Sequence, residues 1–284
     1  MIDRELRAQA EAWVASGRSA VVVEVVDAAG SVPRPCGTRM LVAAGDIAGD
    51  IAGTIGGGHL ELKAIVIARA MLECGDAAER RERFPLGPAL GQCCGGSVTL
   101  SFASLDAAAL CRWPEPSPLF HLQLHGAGHV GRAIATLLAT VDVDVDWFDQ
   151  RDDGFPAATN LGSSWPERIR RTSIDTVEAE VRHAPAGAFY LVLTHEHALD
   201  LRITEAVLRR GDFAFCGLIG SKTKRARFLR RLAERGVAAE VLARLTCPIG
   251  IEGVEGKAPE VIAAAVVAQL LVEHSRVAPR ALMP

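Results

Sequence analysis

The residues of this chain whose types and spacing could do chemistry lie mostly in glycine-rich stretches. The sharpest is His125-Gly126-Ala127-Gly128-His129-Val130-Gly131, which follows the apolar run Leu119, Phe120, Leu122, Leu124 and precedes a helical pattern. This is the G-x-G-x-x-G arrangement of a strand–turn–helix. Gly126 allows the tight turn, Gly128 lets a phosphate approach the backbone, and Gly131 lets the helix pack close to the strand. Peptide N–H groups at the helix start then face the ligand with the positive end of the helix dipole. Asp149 lies about 20 residues beyond, where such domains place the acid that hydrogen-bonds a ribose hydroxyl. Arg151 beside it could instead pair with a second phosphate.

Two further glycine-rich stretches stand earlier. Gly53-Thr54-Ile55-Gly56-Gly57-Gly58-His59-Leu60-Glu61 leads into a helix, and Gly57 and Gly58 permit close approach of a ligand to the backbone. Glu61 falls in the first helical turn, where the dipole favours an acid, and His59 reads better as a capping or packing residue than as a ligand. Gln92-Cys93-Cys94-Gly95-Gly96 is the other. Neighbouring cysteines are poor joint chelators, so Cys93 reads as structural. Cys94, with room left by the glycines after it, is exposed to a ligand for soft-atom chemistry.

His195-Glu196-His197-Ala198-Leu199-Asp200 invites a metal reading, but its spacing departs from that of metallo-hydrolases. His195 and His197 are therefore expected to contact a ligand or cap a helix. Ser221, Lys222 and Lys224 open the next helix, either as an anion contact or as a solvated basic helix start.

These groups need elements to position them. Apolar periodicity predicts a helix over Asp3–Ala15, strands over Ala20–Val26, Thr38–Ala43 and Val98–Ala103, and a helix running to about Cys74. Cys111–Pro118 holds three prolines at alternate positions and reads as an extended connection. The expected organisation is a smaller mixed α/β N-terminal domain (1–112), a Pro-rich linker (113–118) and a C-terminal domain (119–284). In that last domain, strands near Leu119, Val141–Phe148, Arg168–Thr172, Phe189–Thr194 and Phe213–Ile219 alternate with helices over Val130–Ala139, Thr176–His183, Leu199–Arg210, Lys222–Arg235 and Pro259–His274. That is a Rossmann-like, doubly wound parallel sheet.

Composition bounds the function. The 284 residues are 49% hydrophobic and 23% charged, as in a folded globular protein, and the net charge of −3 gives no general attraction to nucleic acid or anionic membranes. The charged N-terminus lacks a signal-peptide core, and no apolar stretch reaches the ~20 residues of a span, so the expected location is the cytoplasm. Seven cysteines form an odd set without metal-finger spacing, expected to be mostly free thiols.

Taken in order, GSVPRPCGTRM (Gly30–Met40), GTIGGGHLE (Gly53–Glu61), QCCGG (Gln92–Gly96), HGAGHVGRA (His125–Ala133), DQR (Asp149–Arg151), LTHEHALD (Leu193–Asp200), IGSKTKR (Ile219–Arg225) and CPIG (Cys247–Gly250) resemble the XdhC/CoxI family, accessory proteins of xanthine dehydrogenase and related molybdenum hydroxylases. The tail Gly256–Leu271 is similar to the xanthine dehydrogenase branch. Cys36 sits where the family has no fixed cysteine. The resemblance implies a carrier rather than a catalyst. It would bind the molybdenum cofactor (Mo-molybdopterin), hold it while a cysteine desulfurase-like donor exchanges an oxo ligand for sulfur, and deliver it to the molybdenum-binding subunit of apo-xanthine dehydrogenase. It also implies a homodimer. A glycine-rich helix start suits the cofactor's phosphate and an exposed thiol suits its metal. From the residues alone, an NAD(P)-dependent oxidoreductase or a nucleotide-sensing regulator using the Rossmann turn stays open.

Overall fold

The structure, a computed structural model, describes residues 3–45, 48–76, 78–86, 95–159 and 162–277. It divides into two compact units between Ser117 and Pro118.

In the first unit, strand β1 (Ala20–Ala29) is a valine-rich run because both of its faces are covered. Val21, Val23 and Val25 pack against helix α2 (Gly58–Cys74), which contributes Leu60, Ala64, Ala68 and Met71 at helical spacing. Ala20 and Val22 face the other way, onto Leu6, Ala10 and Trp13 of helix α1 (Asp3–Ala15). The sheet is antiparallel, in the order β3-β2-β1-β5-β4, with β2 (Arg39–Ala43), β3 (Ile51–Gly53), β4 (Arg80–Pro85) and β5 (Ser97–Ser104). Two of these strands escape sequence reading. β3 is too short to show a period, and β4 begins Arg80-Arg81-Glu82-Arg83, the charged face of an edge strand. A short helix α3 (Ala107–Cys111), capped by Asp106, follows β5. The stretch expected to be linker is partly anchored: the Trp113 carbonyl accepts from Arg7, its ring lies under Arg39, and Glu115 pairs with Arg7.

The second unit is a six-stranded parallel sheet, β6 (His121–His125), β7 (Asp144–Asp149), β8 (Ile169–Ser173), β9 (Phe189–Val192), β10 (Phe215–Leu218) and β11 (Leu245–Thr246). Its order β8-β7-β6-β9-β10-β11 is the Rossmann order. The sequence predicts five of these strands; β11 has two residues and no legible pattern. Helices α4 (His129–Leu138) and α8 (Pro259–Val277) cover the face carrying Leu122, Leu124, Trp147 and Leu191. Helices α5 (His197–Arg210), α6 (Lys222–Glu234) and α7 (Ala239–Leu242) cover the face carrying Phe148, Tyr190, Val192 and Leu218. Thr176–His183, expected to be a helix, winds over Val177–His183 as a tighter 3-10 helix. Strand order reverses between β6 and β9, which puts a crevice at the carboxyl ends of those strands. Among the described residues no helix is long and apolar enough to cross a membrane.

Candidate functional site

The turn after β6 separates glycines that the chain itself needs from one that it does not. Gly126 has φ +121°, and a Cβ there would lie 2.4 Å from the Leu193 carbonyl oxygen at the end of β9. A Cβ on Gly131 would lie 2.1 Å from the Gly126 carbonyl oxygen, so α4 packs on the turn only without a side chain there. The same carbonyl accepts from Trp147 Nε1 at 3.0 Å, which pins the turn to β7. Gly128 differs. It is the N-cap of α4 at φ −72°, it gives the helix no side-chain cap, and a Cβ on it would meet nothing within 4 Å. No packing contact requires a glycine at Gly128, and the amides that follow it have no side-chain cap.

Asp149 turns inward onto this loop. Its carboxylate accepts from the Ala127 amide at 2.6 Å, from the Arg151 amide at 3.0 Å, and from the Arg151 guanidinium at 2.9 and 3.1 Å. Burial pushes its pKa up, but the hydrogen bonds from the Arg151 side chain and the Ala127 and Arg151 amides outweigh this and hold it below the usual carboxylate range. Gly154 closes over the pair, and Arg132 ties the Ala127 and Gly154 carbonyls together at 3.0 and 2.8 Å. A ribose hydroxyl would have to compete with these four N–H donors for Asp149. Arg151, the alternative phosphate partner, is already paired with Asp149.

Along the same edge, His195 and His197 are exposed, and His197 Nδ1 lies 3.4 Å from an Arg227 guanidinium nitrogen. Neither caps a helix by a side-chain hydrogen bond: α5 starts from Glu196 without one. Asp200 is wholly buried and is matched to Lys224, whose Nζ lies 2.6 Å from it. The remaining Asp200 oxygen accepts from the Thr194 amide at 3.0 Å and the Thr194 hydroxyl at 2.7 Å. Lys224 is thus not a solvated basic residue at a helix start; its charge is held inside the protein. Ser221 caps α6 by accepting from the Lys224 amide at 3.2 Å. Among the described residues no group of three or more His, Cys, Asp or Glu gathers as a metal-ligand set.

Sequence reading passed over His125. Its ring is fully buried between Phe148 and Tyr190, neither nitrogen has a hydrogen-bond partner among the described residues, and burial lowers its pKa to about 3. Only its place within the apolar strand hinted at this. Cys247 lies beneath the edge, buried, with burial raising its thiol pKa, so it is an inert thiol rather than a nucleophile.

In the first unit three glycine-bearing loops meet, those of Gly30, Gly56 and Gly96 in chain order. The backbone of Gly96 lies 3.1 Å from where a Cβ of Gly30 would stand, and a Cβ on Gly56 would be 2.6 Å from the Pro33 ring. Glu61 organises the middle loop. One of its oxygens accepts from the Thr54 hydroxyl at 2.6 Å and from the amides of Gly57 at 3.0 Å and Ile55 at 3.2 Å. Gly57 caps α2 at φ +77° without a side-chain bond, and Gly58 follows at φ +64°. His59 is exposed. Cys93 and Cys94 lie outside the described residues; Gly95 beside them borders open space, while Gly96 is held against the Ala29 and Ser31 carbonyls.

Comparison with known proteins places the chain. Residues 122–270 match the XdhC Rossmann domain and residues 13–85 match the XdhC and CoxI family. The uncharacterized protein YqeB of Escherichia coli (strain K12) is 32% identical over 265 residues, covering 88% of this chain. This chain spans 42% of that protein's length. A crystal structure from Bacillus halodurans, described as a xanthine dehydrogenase, superposes with a TM-score of 0.78 at 18% identity, covering 100% of this chain and 98% of that one, a likeness of fold. With one of these domain matches spanning more than half of its residues, the chain belongs to the XdhC and CoxI family.

Proposed function

We propose that this protein is an accessory factor of a xanthine dehydrogenase-type molybdenum hydroxylase. It binds the molybdenum cofactor, holds it while a cysteine desulfurase-like partner supplies sulfur for an oxo ligand, and passes it to the apo-enzyme. It works as a carrier, as a homodimer in the cytoplasm. The observation that carries this reading is the presence of both family domains, in order, in one chain. The geometry is compatible with such cargo. The uncapped start of α4, left open by Gly128, offers N–H donors to a phosphate. The meeting of three glycine loops in the first unit brings open backbone beside the segment that bears Cys94. Cys94 is assigned the contact to molybdenum, with Gly57 and Gly58 beside the ligand.

The test is anaerobic purification from cofactor-producing cells, followed by mass spectrometry of the bound small molecule and activation of apo-xanthine dehydrogenase. Co-purifying pterin and activation are expected. Cys94→Ala should weaken cofactor retention or sulfuration with the fold intact. Absence of pterin together with failure to activate would overturn the reading. The Rossmann strand order favours a second reading, nucleotide binding at the same turn for sensing or hydride transfer. The inward-turned Asp149 speaks against a ribose contact there, and saturable NADH binding would restore it.

A further inference from the structure

At the carboxyl ends of β9 and β10 the second unit holds a cavity of about 400 Å³, lined by Thr194, His195, His197, Ser221, Lys224 and Arg227 among others. We propose that this cavity is an oxyanion site for a phosphate monoester, separate from the glycine turn. The inference goes beyond the cofactor-carrier reading and does not depend on it.

Lys224 is the first support. It is nine-tenths buried yet lines the cavity. Two of its ammonium donors go to Asp200 at 2.6 Å and to the Ile219 carbonyl at 2.8 Å. An ammonium has three N–H groups; the third has no hydrogen-bond acceptor among the described residues, and the Nζ otherwise lies 5.4 Å from the Phe228 ring centroid. Asp200 neutralises the lysine's charge, so the cavity does not owe its sign to Lys224. The excess positive charge comes from Arg227, exposed on α6 and leaning toward His197 at 3.4 Å.

Direction is the second support. Polar groups reach the cavity from separate elements: Lys224 and Arg227 from α6, Ser221 from its cap, and Thr194, His195 and His197 from the segment that leads into α5, whose start has no side-chain cap. A tetrahedral oxyanion has acceptors pointing several ways and matches such a set better than a planar carboxylate does. The acid nearest in sequence, Glu196, is exposed and does not line the cavity. A volume of this size admits the phosphate together with a small organic group. The glycine turn is its neighbour, because Gly126 packs on the Leu193 carbonyl one residue before Thr194.

The experiment titrates the full chain with inorganic phosphate and with glycerol 3-phosphate, using glycerol as the uncharged control. Binding is read by calorimetry and by amide chemical shifts. Both phosphates, but not glycerol, should shift the amides of residues 194–199 and 219–224. Arg227→Gln, an exposed position that should fold normally, should weaken both at least about tenfold, since hydrogen bonds to charged groups carry that much. Arg227→Lys should recover part of the loss. Equal affinity in Arg227→Gln, or shifts confined to residues 127–130, would overturn the assignment. Inorganic phosphate carries no pterin, so each outcome holds whether or not the protein captures a molybdenum cofactor.

Discussion

Two glycines of the turn after β6, three residues apart, should respond oppositely to the same substitution. In Gly131→Ala the new methyl carbon would sit 2.1 Å from the Gly126 carbonyl oxygen, more than 1 Å inside ordinary contact, so α4 must move off β6. That helix buries Ala133, Ile134, Ala135 and Leu138, and its displacement strains the core on that face of the sheet. Overpacking of this kind costs about 1–3 kcal/mol. For a unit of this size that is a fall in Tm of roughly 3–10 °C. In Gly128→Ala the methyl meets nothing within 4 Å, and φ is −72°, comfortable for alanine. Stability should stay within about 0.5 kcal/mol of the parent, since the loss of a glycine N-cap and the gain from a less flexible unfolded chain nearly cancel. The ligand readout inverts this order: Gly128→Ala should lower retention of the co-purified cofactor, while whatever Gly131→Ala loses should track its lost stability. Thermal unfolding by circular dichroism and pterin content after anaerobic purification measure the two effects. Equal destabilisation by both changes would refute the steric argument, and full retention in a stable Gly128→Ala protein would remove this turn from the binding site.

His125 predicts a pH effect. Burial holds its folded pKa at about 3, against ~6.5 in an unfolded chain. The unfolded state therefore binds the extra proton between those values, and stability falls as pH drops below 6.5. The loss from pH 7 to pH 5 is about 2 kcal/mol. His125→Phe, placed among Phe148 and Tyr190, should abolish most of that loss in urea unfolding; an unchanged pH response would show that the imidazole is not buried neutral. The depressed pKa of Asp149 acts lower, contributing stability above ~4 that disappears as pH falls through its folded value, so it does not confuse this window. Asp200→Ala strands a buried ammonium and should cost about 3–5 kcal/mol, whereas replacing Asp200 and Lys224 together by Leu and Met should cost much less. Additive losses in chemical denaturation would contradict the pairing. Glu61→Ala removes the acceptor of three loop hydrogen bonds and should destabilise the first unit by about 1–3 kcal/mol, with increased protease cleavage between Thr54 and Gly58; resistance equal to the parent would show that Glu61 is dispensable for the loop.

The order of elements in the second unit was legible because each depends on local pattern. Short apolar runs bounded by turns, helical spacing and G-x-G-x-x-G are properties of neighbours along the chain. The helix over Asp3–Ala15 and the glycine-led helix to Cys74 were legible for the same reason. β3, β4 and β11 were not, since two are too short to show a period and the third carries charges that suit only an edge. The roles within the site depended on groups distant in sequence. That Asp149 faces the Ala127 amide, that Asp200 holds Lys224, and that Gly131 is filled by its own turn while Gly128 is open are facts of three-dimensional distance. Sequence alone determined the Rossmann pattern and the residue types able to meet a phosphate. Tertiary structure decided which of them remain free to do so, because a charge or an N–H already satisfied inside the fold is no longer available to a ligand.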